Sequence, residues 1–230
     1  INRINAVVTV TEKSAEVDYD GNEHTIYGYE SMTANTSLYN VTTSVTATPT
    51  SAWTVTKTAA GTYDMGILAS DFQNTNPNFD QVTFTIVDGQ LKINPIDVTV
   101  TITEHSDTVD YNGQLHSVSG YDVAISNPLY TEADFTFNGT ASVSGTDAGT
   151  YPMTLAPDNF ENRNNNFANV TFNIEDGQLV IKKINAVVTV TEKSAEMDYD
   201  GQPHTISGYA SMISSTQLYD VTTSVQVTET

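Results

Sequence analysis

The sequence predicts an all-β protein built from tandem modules. One pattern, a Tyr-Asp-Gly or Tyr-Asn-Gly turn followed by His and then by Gly-Tyr, begins at Tyr19, Tyr111 and Tyr199. Such self-similarity is typical of repeat architectures. Between the turns, short runs rich in Val, Thr and Tyr alternate apolar and polar residues, which indicates half-buried strands. No segment keeps a helical period over the length of a helix.

The first module can be followed strand by strand. Ala6, Val8 and Val10 share one face of the opening strand and are expected to face the core. Asp20-Gly21 predicts a type I′ hairpin, because Asp-Gly favours positive φ at both central residues. Further strands are expected over 23–29, 41–47, 53–57, 61–67 and 81–87, and an Asn-rich loop over 71–80.

Three modules follow one another along the chain. We place them at 1–94 (first copy), 95–183 (second copy) and 184–230 (third copy). The third copy repeats Ile4–Val10 identically but lacks counterparts of 61–67 and 81–93. Its core should therefore be incomplete, so we expect it to pack on its neighbour or to borrow strands from another chain. Neither junction contains a Gly/Ser linker, which favours a stiff, extended array.

Composition excludes several classes of function. The formal net charge is −20, with 28 acidic and eight basic residues, so the chain should repel nucleic acid and anionic lipid surfaces. The absence of cysteine excludes disulfides, thiol catalysis and Cys-zinc sites. No apolar run reaches membrane-spanning length, so this segment should not insert into a membrane.

One short motif resembles that of a known class of β-domain. Residues Asp147 to Tyr151 form an Asp-x-Gly-x-Tyr pattern, which resembles the start of the penultimate strand of immunoglobulin-like domains. There the Tyr packs inward and its hydroxyl ties down the preceding turn. The first copy has Ala59 in place of the Asp but retains Gly61 and Tyr63.

Together with the repeated turns and the Asn-rich loop, this motif makes the whole chain resemble the MBG/YDG type of immunoglobulin-like repeat of bacterial surface proteins. The resemblance implies tandem Ig-like β-sandwich modules in an extended array. β-grasp-like modules are the alternative, which the lack of a helix pattern disfavours.

The resemblance also implies a function. Such repeats are non-catalytic parts of large secreted or wall-anchored proteins, often adhesins. We therefore expect a structural stalk or spacer at the extracellular bacterial cell surface, whose partners are the neighbouring modules. The alternative is a repeat that binds a host glycan or host protein, with weak single-site affinity raised by multivalency.

The repeated polar and aromatic residues are interpreted as a folding signature. Each turn histidine should be partly buried and bonded near its turn, since no Ser or Cys stands at a fixed spacing to complete a catalytic triad. We therefore predict no catalytic residue, no cofactor and no enzyme. The signature residues are Tyr19, Gly21, His24, Tyr63, Tyr111, Gly113, His116, Asp147, Tyr151, Tyr199, Gly201 and His204.

The Asn-rich loop offers one alternative chemistry. Calcium prefers carboxylate and amide oxygens, and five candidate ligands stand close together: Asp71, Asn74, Asn76, Asn78 and Asp80. Their spacing does not fit an EF-hand, and Ala168 replaces Asp80 in the second copy. Asn also favours turns through bonds to its own backbone, so calcium is kept only as an alternative. The single tryptophan, Trp53, is expected in the core.

Overall fold

The all-β prediction is confirmed by a computed structural model, which describes residues 2–228. The first copy contains strands Ile4–Glu12 (β1), Ala15–Asp18 (β2), His24–Tyr27 (β3), Tyr29–Ala34 (β4), Val45–Ala47 (β5), Thr54–Lys57 (β6), Gly61–Asp64 (β7), Phe72–Asn74 (β8), Phe79–Val87 (β9) and Gln90–Asn94 (β10). One helical turn, Val41–Ser44 (α1), and the 3-10 turns Ser51–Trp53 and Ala69–Asp71 connect them.

The second copy repeats this plan. Its strands are Ile96–Glu104 (β11), Asp107–Asp110 (β12), His116–Ser119 (β13), Tyr121–Ile125 (β14), Phe135–Phe137 (β15), Ser142–Gly145 (β16), Gly149–Pro152 (β17), Phe160–Asn162 (β18), Phe167–Glu175 (β19) and Gln178–Lys182 (β20). The 3-10 turns Glu132–Asp134 and Pro157–Asn159 lie between them. The third copy contains strands Val188–Glu192 (β21) and Tyr209–Ser214 (β22) and the helical turn Val221–Ser224 (α2).

Two three-stranded sheets and two strand pairs form the first copy. The sheet orders are β4-β1-β9 and β2-β10-β7, and the pairs are β3-β6 and β5-β8. β1 runs parallel to β9, and β10 runs parallel to β2, so the ends of the copy meet in both sheets. The second copy repeats the orders as β14-β11-β19, β12-β20-β17, β13-β16 and β15-β18.

The core lies on the predicted faces. Ala6, Val8 and Val10 are buried, and Val8 and Val10 pair with Phe84 and Ile86 of β9. Val98, Val100 and Ile102 form the equivalent buried row in the second copy. The predicted inward rows of both opening strands are therefore confirmed.

The hairpin prediction at Asp20-Gly21 is wrong. The flanking strands do not pair with each other, since β2 lies beside β10 whereas β3 lies beside β6. Gly21 has φ 77°, but no residue other than glycine has a positive φ in the part of the chain described. Asp20 therefore cannot adopt the type I′ geometry. The turn carries the chain from one sheet to another.

Three smaller expectations also need correction. Residues 41–47 do not form one strand, because the Asn40 side chain accepts a hydrogen bond from the Thr42 N–H and caps a helical turn before β5. The Asn-rich stretch 71–80 is only partly loop, since β8 and the start of β9 occupy its ends. The Asp147 motif does not begin the penultimate strand, because three strands follow β17.

The described residues group into two compact units. The first comprises 2–101, 123–138 and 157–173, and the second comprises 102–122, 139–156 and 174–228. In the second unit, the core of the third copy is incomplete, as expected: Val190 is 50% exposed, whereas its counterpart Val10 is fully buried. The third copy shares this unit with part of the second copy.

Candidate functional site

The Tyr-Asp-Gly turn has one backbone geometry in all three copies. Gly21, Gly113 and Gly201 have φ values of 77°, 75° and 78°, a region that side chains with a Cβ rarely adopt. In the first copy, Oδ1 of Asp20 accepts a hydrogen bond of 2.9 Å from the Asn22 N–H. Glycine and a short polar side chain therefore fix the turn locally.

The turn histidines bond to the turn itself. Nε2 of His24 lies 2.9 Å from Oδ1 of Asp20, and the same bond joins His116 to Asn112 at 2.8 Å and His204 to Asp200 at 2.8 Å. The pKa of Asp20 falls to about 2, because the carboxylate accepts from the Asn22 backbone, the Asn22 side chain and His24. These contacts give the histidines a structural partner in place of a nucleophile.

Tyr63 and Tyr151 each anchor a backbone turn. Both follow the sequence Ala-Gly-Thr in their copies. The Tyr63 hydroxyl donates to the Ala59 carbonyl oxygen at 2.9 Å, and the Tyr151 hydroxyl donates to the Asp147 carbonyl oxygen at 2.8 Å. Because the acceptor is main chain in both copies, the replacement of Asp147 by Ala59 leaves the bond intact. Each hydroxyl therefore ties down the turn that precedes its strand.

A buried carboxylate, which the sequence analysis missed, clamps each complete copy. Glu12 is only 2% exposed, and its two oxygens accept hydrogen bonds of 2.7 Å from the Ile67 and Gly89 N–H groups. Glu104 accepts equivalent 2.7 Å bonds from Leu155 and Gly177. Each carboxylate thereby joins the end of the opening strand to two distant backbone segments.

The clamp explains the repeated Asp-Gly before the last strand. A Cβ on Gly89 would collide with the Lys13 carbonyl oxygen and would lie 2.8 Å from Cβ of Glu12. A Cβ on Gly177 would collide in the same way with the His105 carbonyl oxygen. Only glycine lets the backbone approach the buried carboxylate this closely.

The Asn-rich loop uses its amide oxygens internally. Oδ1 of Asn74 accepts from the Tyr39 hydroxyl at 2.8 Å and from the Asn76 N–H at 2.9 Å, and Oδ1 of Asn76 accepts from the Asn78 N–H at 3.0 Å. Asn162, Asn164 and Asn166 repeat the two backbone contacts in the second copy. The loop is therefore a series of turns, each closed by a hydrogen bond from a backbone N–H to an asparagine side chain.

The two aspartates among the calcium candidates lie in different environments. Asp71 is buried, and its Oδ2 accepts from Nε1 of Trp53 at 2.7 Å and from the Leu68 N–H at 3.0 Å. These bonds, led by the backbone contact, lower the pKa of Asp71. Asp80 is exposed on β9. Over residues 2–228, no group of three or more His, Asp or Glu side chains is arranged to hold a metal ion.

Trp53 is 3% exposed, which confirms its prediction as a core residue. Its ring packs against Phe72 at 5.3 Å and meets Tyr29 edge-on at 6.0 Å. The apolar part of the indole ring is therefore packed in the core, and its N–H donates a hydrogen bond to Asp71. It presents no surface for stacking on a sugar.

His105 takes part in a contact that the sequence did not indicate. It replaces the Lys13 of the first copy, and its Nδ1 lies 2.9 Å from the Ser119 carbonyl oxygen. Its Nε2 lies 3.3 Å from Oδ1 of Asp122. The Ser119 bond and then the Asp122 bond raise the pKa of His105.

On both sides of the junction between the first and second copies, which lies inside the first unit, a backbone hydrogen bond anchors the chain within its own copy. β10 ends at Asn94 and β11 begins at Ile96, so Pro95 alone separates them. The Tyr19 N–H donates to the Asn94 carbonyl oxygen at 2.8 Å, and the Ile96 N–H donates to the Asn166 carbonyl oxygen at 3.0 Å.

Side chains complete this junction. Oδ1 of Asn166 accepts from the Ala60 N–H at 2.7 Å. The rings of Tyr19 and Phe167 meet edge-on at 5.8 Å, and Leu129 packs over the open face of Gly21. The Tyr-Asp-Gly turn of one copy thus receives the Leu-Tyr and Asn-Phe segments of the next.

Comparison with known proteins gives one match. The family model of the MBG domain matches residues 98–185. No curated protein and no solved structure matches the chain. MBG is a β-rich structural repeat domain found in surface proteins. Across residues 2–228, none of the helices has the length and apolar character needed to cross a membrane.

Proposed function

Because the family model of the MBG domain matches residues 98–185, we propose that this chain is a non-catalytic stalk or spacer segment of an extracellular bacterial surface protein of the adhesin kind. Its mechanism is mechanical. Each copy keeps its neighbour in a fixed orientation, and the row of copies holds another part of the parent protein away from the cell surface.

The junction at Pro95 is the observation that carries this proposal. A flexible linker would leave the neighbouring copies without mutual bonds. Here the Ala60 N–H of the first copy donates to the Asn166 side chain of the second at 2.7 Å. The Ile96 N–H holds the same Asn166 by its carbonyl oxygen at 3.0 Å. A ring contact and a leucine packed on a glycine add apolar contact area. Such a junction supports transmission of orientation and force.

The hydrogen bonds made by the repeated polar residues support a non-catalytic role. An active site needs titratable groups that are free to meet a substrate in a cleft. The turn histidines bond to their own turns, and the buried carboxylates Glu12 and Glu104 have both oxygens engaged by backbone N–H groups. These groups hold the fold together and are unavailable for acid–base chemistry.

Surface display tests the proposal. The chain is placed between a cell-wall anchor and an epitope on a bacterium that does not adhere to host tissue, and a flexible Gly/Ser chain of 230 residues replaces it in the control. We expect antibody access to the epitope through a capsule to be greater with this chain, without any gain in binding to glycans or host matrix proteins. Saturable binding by the chain itself would contradict the spacer role and favour the multivalent-binding alternative.

A further inference from the structure

We propose that a cavity in the second unit is a socket for an Asn-Phe segment, supplied by the Asn-rich loop of a copy like the first. The inference deepens the proposed function, because it names the partner that closes the second junction of the stalk. The cavity has a volume of about 250 Å³, and Tyr111, Ala148, Ile184, Leu218 and Tyr219 are among its lining residues.

The first junction shows what such a cavity holds. Tyr111, Ala148 and Ile184 are the counterparts of Tyr19, Ala60 and Ile96. Those three residues contact Asn166-Phe167: the Ala60 N–H donates to the Asn166 side chain, the Ile96 N–H donates to its carbonyl oxygen, and the Tyr19 ring meets Phe167. The cavity therefore presents the same three groups without the dipeptide between them.

The chemistry of the lining fits this occupant. Within residues 2–228, the N–H groups of Ala148 and Ile184 donate to no acceptor. An asparagine supplies both acceptors at once, one from its side chain and one from its backbone. The adjacent Tyr111 ring offers an aromatic face to the following Phe, as Tyr19 does. The volume also lies below the roughly 300–1,000 Å³ of small-molecule pockets.

A second contact fixes the register of this socket. A Cβ on Gly113 would lie 3.2 Å from Leu218, and a Cβ on Gly21 would lie 3.0 Å from Leu129. The Tyr111 N–H donates to the Lys182 carbonyl oxygen at 2.9 Å, as Tyr19 does to Asn94. Because Leu218 of the third copy meets Gly113 as Leu129 of the second copy meets Gly21, a loop following the course of the first-copy loop would place its Asn-Phe at the cavity.

The occupant can be supplied from the chain's own sequence. The third copy follows the first with a constant offset of 180 residues, so residues 51–94 appended after residue 230 would complete it. The appended counterparts of Asn78 and Phe79 are then the residues proposed to enter the socket. Amide hydrogen exchange at Ala148 and Ile184 reports whether they do.

We expect both amides to exchange at least about tenfold more slowly in the extended chain, because each gains an acceptor. Replacing the appended counterpart of Asn78 by Ala should restore fast exchange at Ala148 alone, since the acceptor for Ile184 is a backbone carbonyl. Asn166→Ala at the first junction is the matched control and should expose Ala60 while sparing Ile96. Slowed exchange at Val190 reports that the third copy has folded.

Two results would overturn the inference. In the first, Val190 becomes protected but Ala148 and Ile184 exchange as before, so that the completed copy leaves the socket unfilled. In the second, the appended residues leave the exchange at Val190 unchanged, so that the third copy does not accept them. Either failure would leave the spacer function untouched, because that proposal rests on the junction at Pro95 and is tested by surface display.

Discussion

The buried carboxylate of Glu12 gives the sharpest energetic prediction. Glu12→Gln preserves size and shape but replaces one acceptor oxygen by an NH₂ donor. One of the two N–H groups at 2.7 Å, on Ile67 or Gly89, then faces another donor in a site that is only 2% exposed. The substitution therefore loses one charge-assisted hydrogen bond and turns the other into a neutral one.

The cost follows from these two bonds. A hydrogen bond to a charged group contributes about 1.5–3 kcal/mol, and a neutral one about 0.5–1.5 kcal/mol. Loss of one and weakening of the other, partly offset by the removal of a buried charge, should lower the free energy of unfolding by about 2–4 kcal/mol. This is a large share of the stability of one small domain.

Urea unfolding monitored by tryptophan fluorescence measures this change in the first copy alone, because Trp53 is the single tryptophan and is buried there. Glu30→Gln is the matched control, since Glu30 is exposed on β4 of the same copy. It should change the free energy by no more than about 0.5 kcal/mol. A loss below about 0.5 kcal/mol for Glu12→Gln, or equal losses for both variants, would refute the clamp.

The remaining predictions use the turns and the second copy. Gly21→Ala strains a positive φ and also crowds Leu129 at the junction. Gly201→Ala strains φ alone, because no atom lies within 4 Å of its added Cβ. The rate of amide exchange at the substituted turn should therefore rise more for Gly21→Ala, and equal increases would contradict the junction contact. Tyr151→Phe should lower the unfolding free energy by about 1 kcal/mol, measured by amide exchange in β17, and no change would exclude the hydroxyl bond. NMR titration should place the pKa of His105 above the usual value of about 6.5, and Asp122→Asn should lower it. Since the folded pKa is raised, the His105 contribution to stability should be complete below about pH 6.5 and be lost as pH rises through the folded pKa; stability that increases over that window would contradict it.

Local patterns predicted the strands whose faces differ in burial. The alternation of Ala6, Val8 and Val10 identified an inward row, and the three occurrences of the Gly21 turn identified the repeat. Glu12 has the parity of that row, so its position already indicated an inward side chain. A carboxylate was nevertheless expected in solvent, because its two donors come from residues 55 and 77 positions away.

The sheet assignment could not be predicted because it depends on distant pairings. Turn chemistry at Asp20-Gly21 describes four residues and favours pairing between adjacent strands. The parallel ladders of β1 with β9 and of β2 with β10 instead separate the strands on either side of the turn. The junction role of Gly21 was hidden for the same reason, since its partner Leu129 belongs to the next copy.

The stalk function requires a rigid junction at Pro95, and a pulsed electron–electron distance measurement reports this rigidity. The chain has no cysteine, so Thr62→Cys and Thr136→Cys carry nitroxide labels uniquely, on exposed positions of β7 and β15 within the first unit. A pair at positions 30 and 62 inside the first copy is the control. A rigid junction should give one distance distribution across Pro95, as narrow as that of the control pair. A broad or multi-peaked distribution would contradict it.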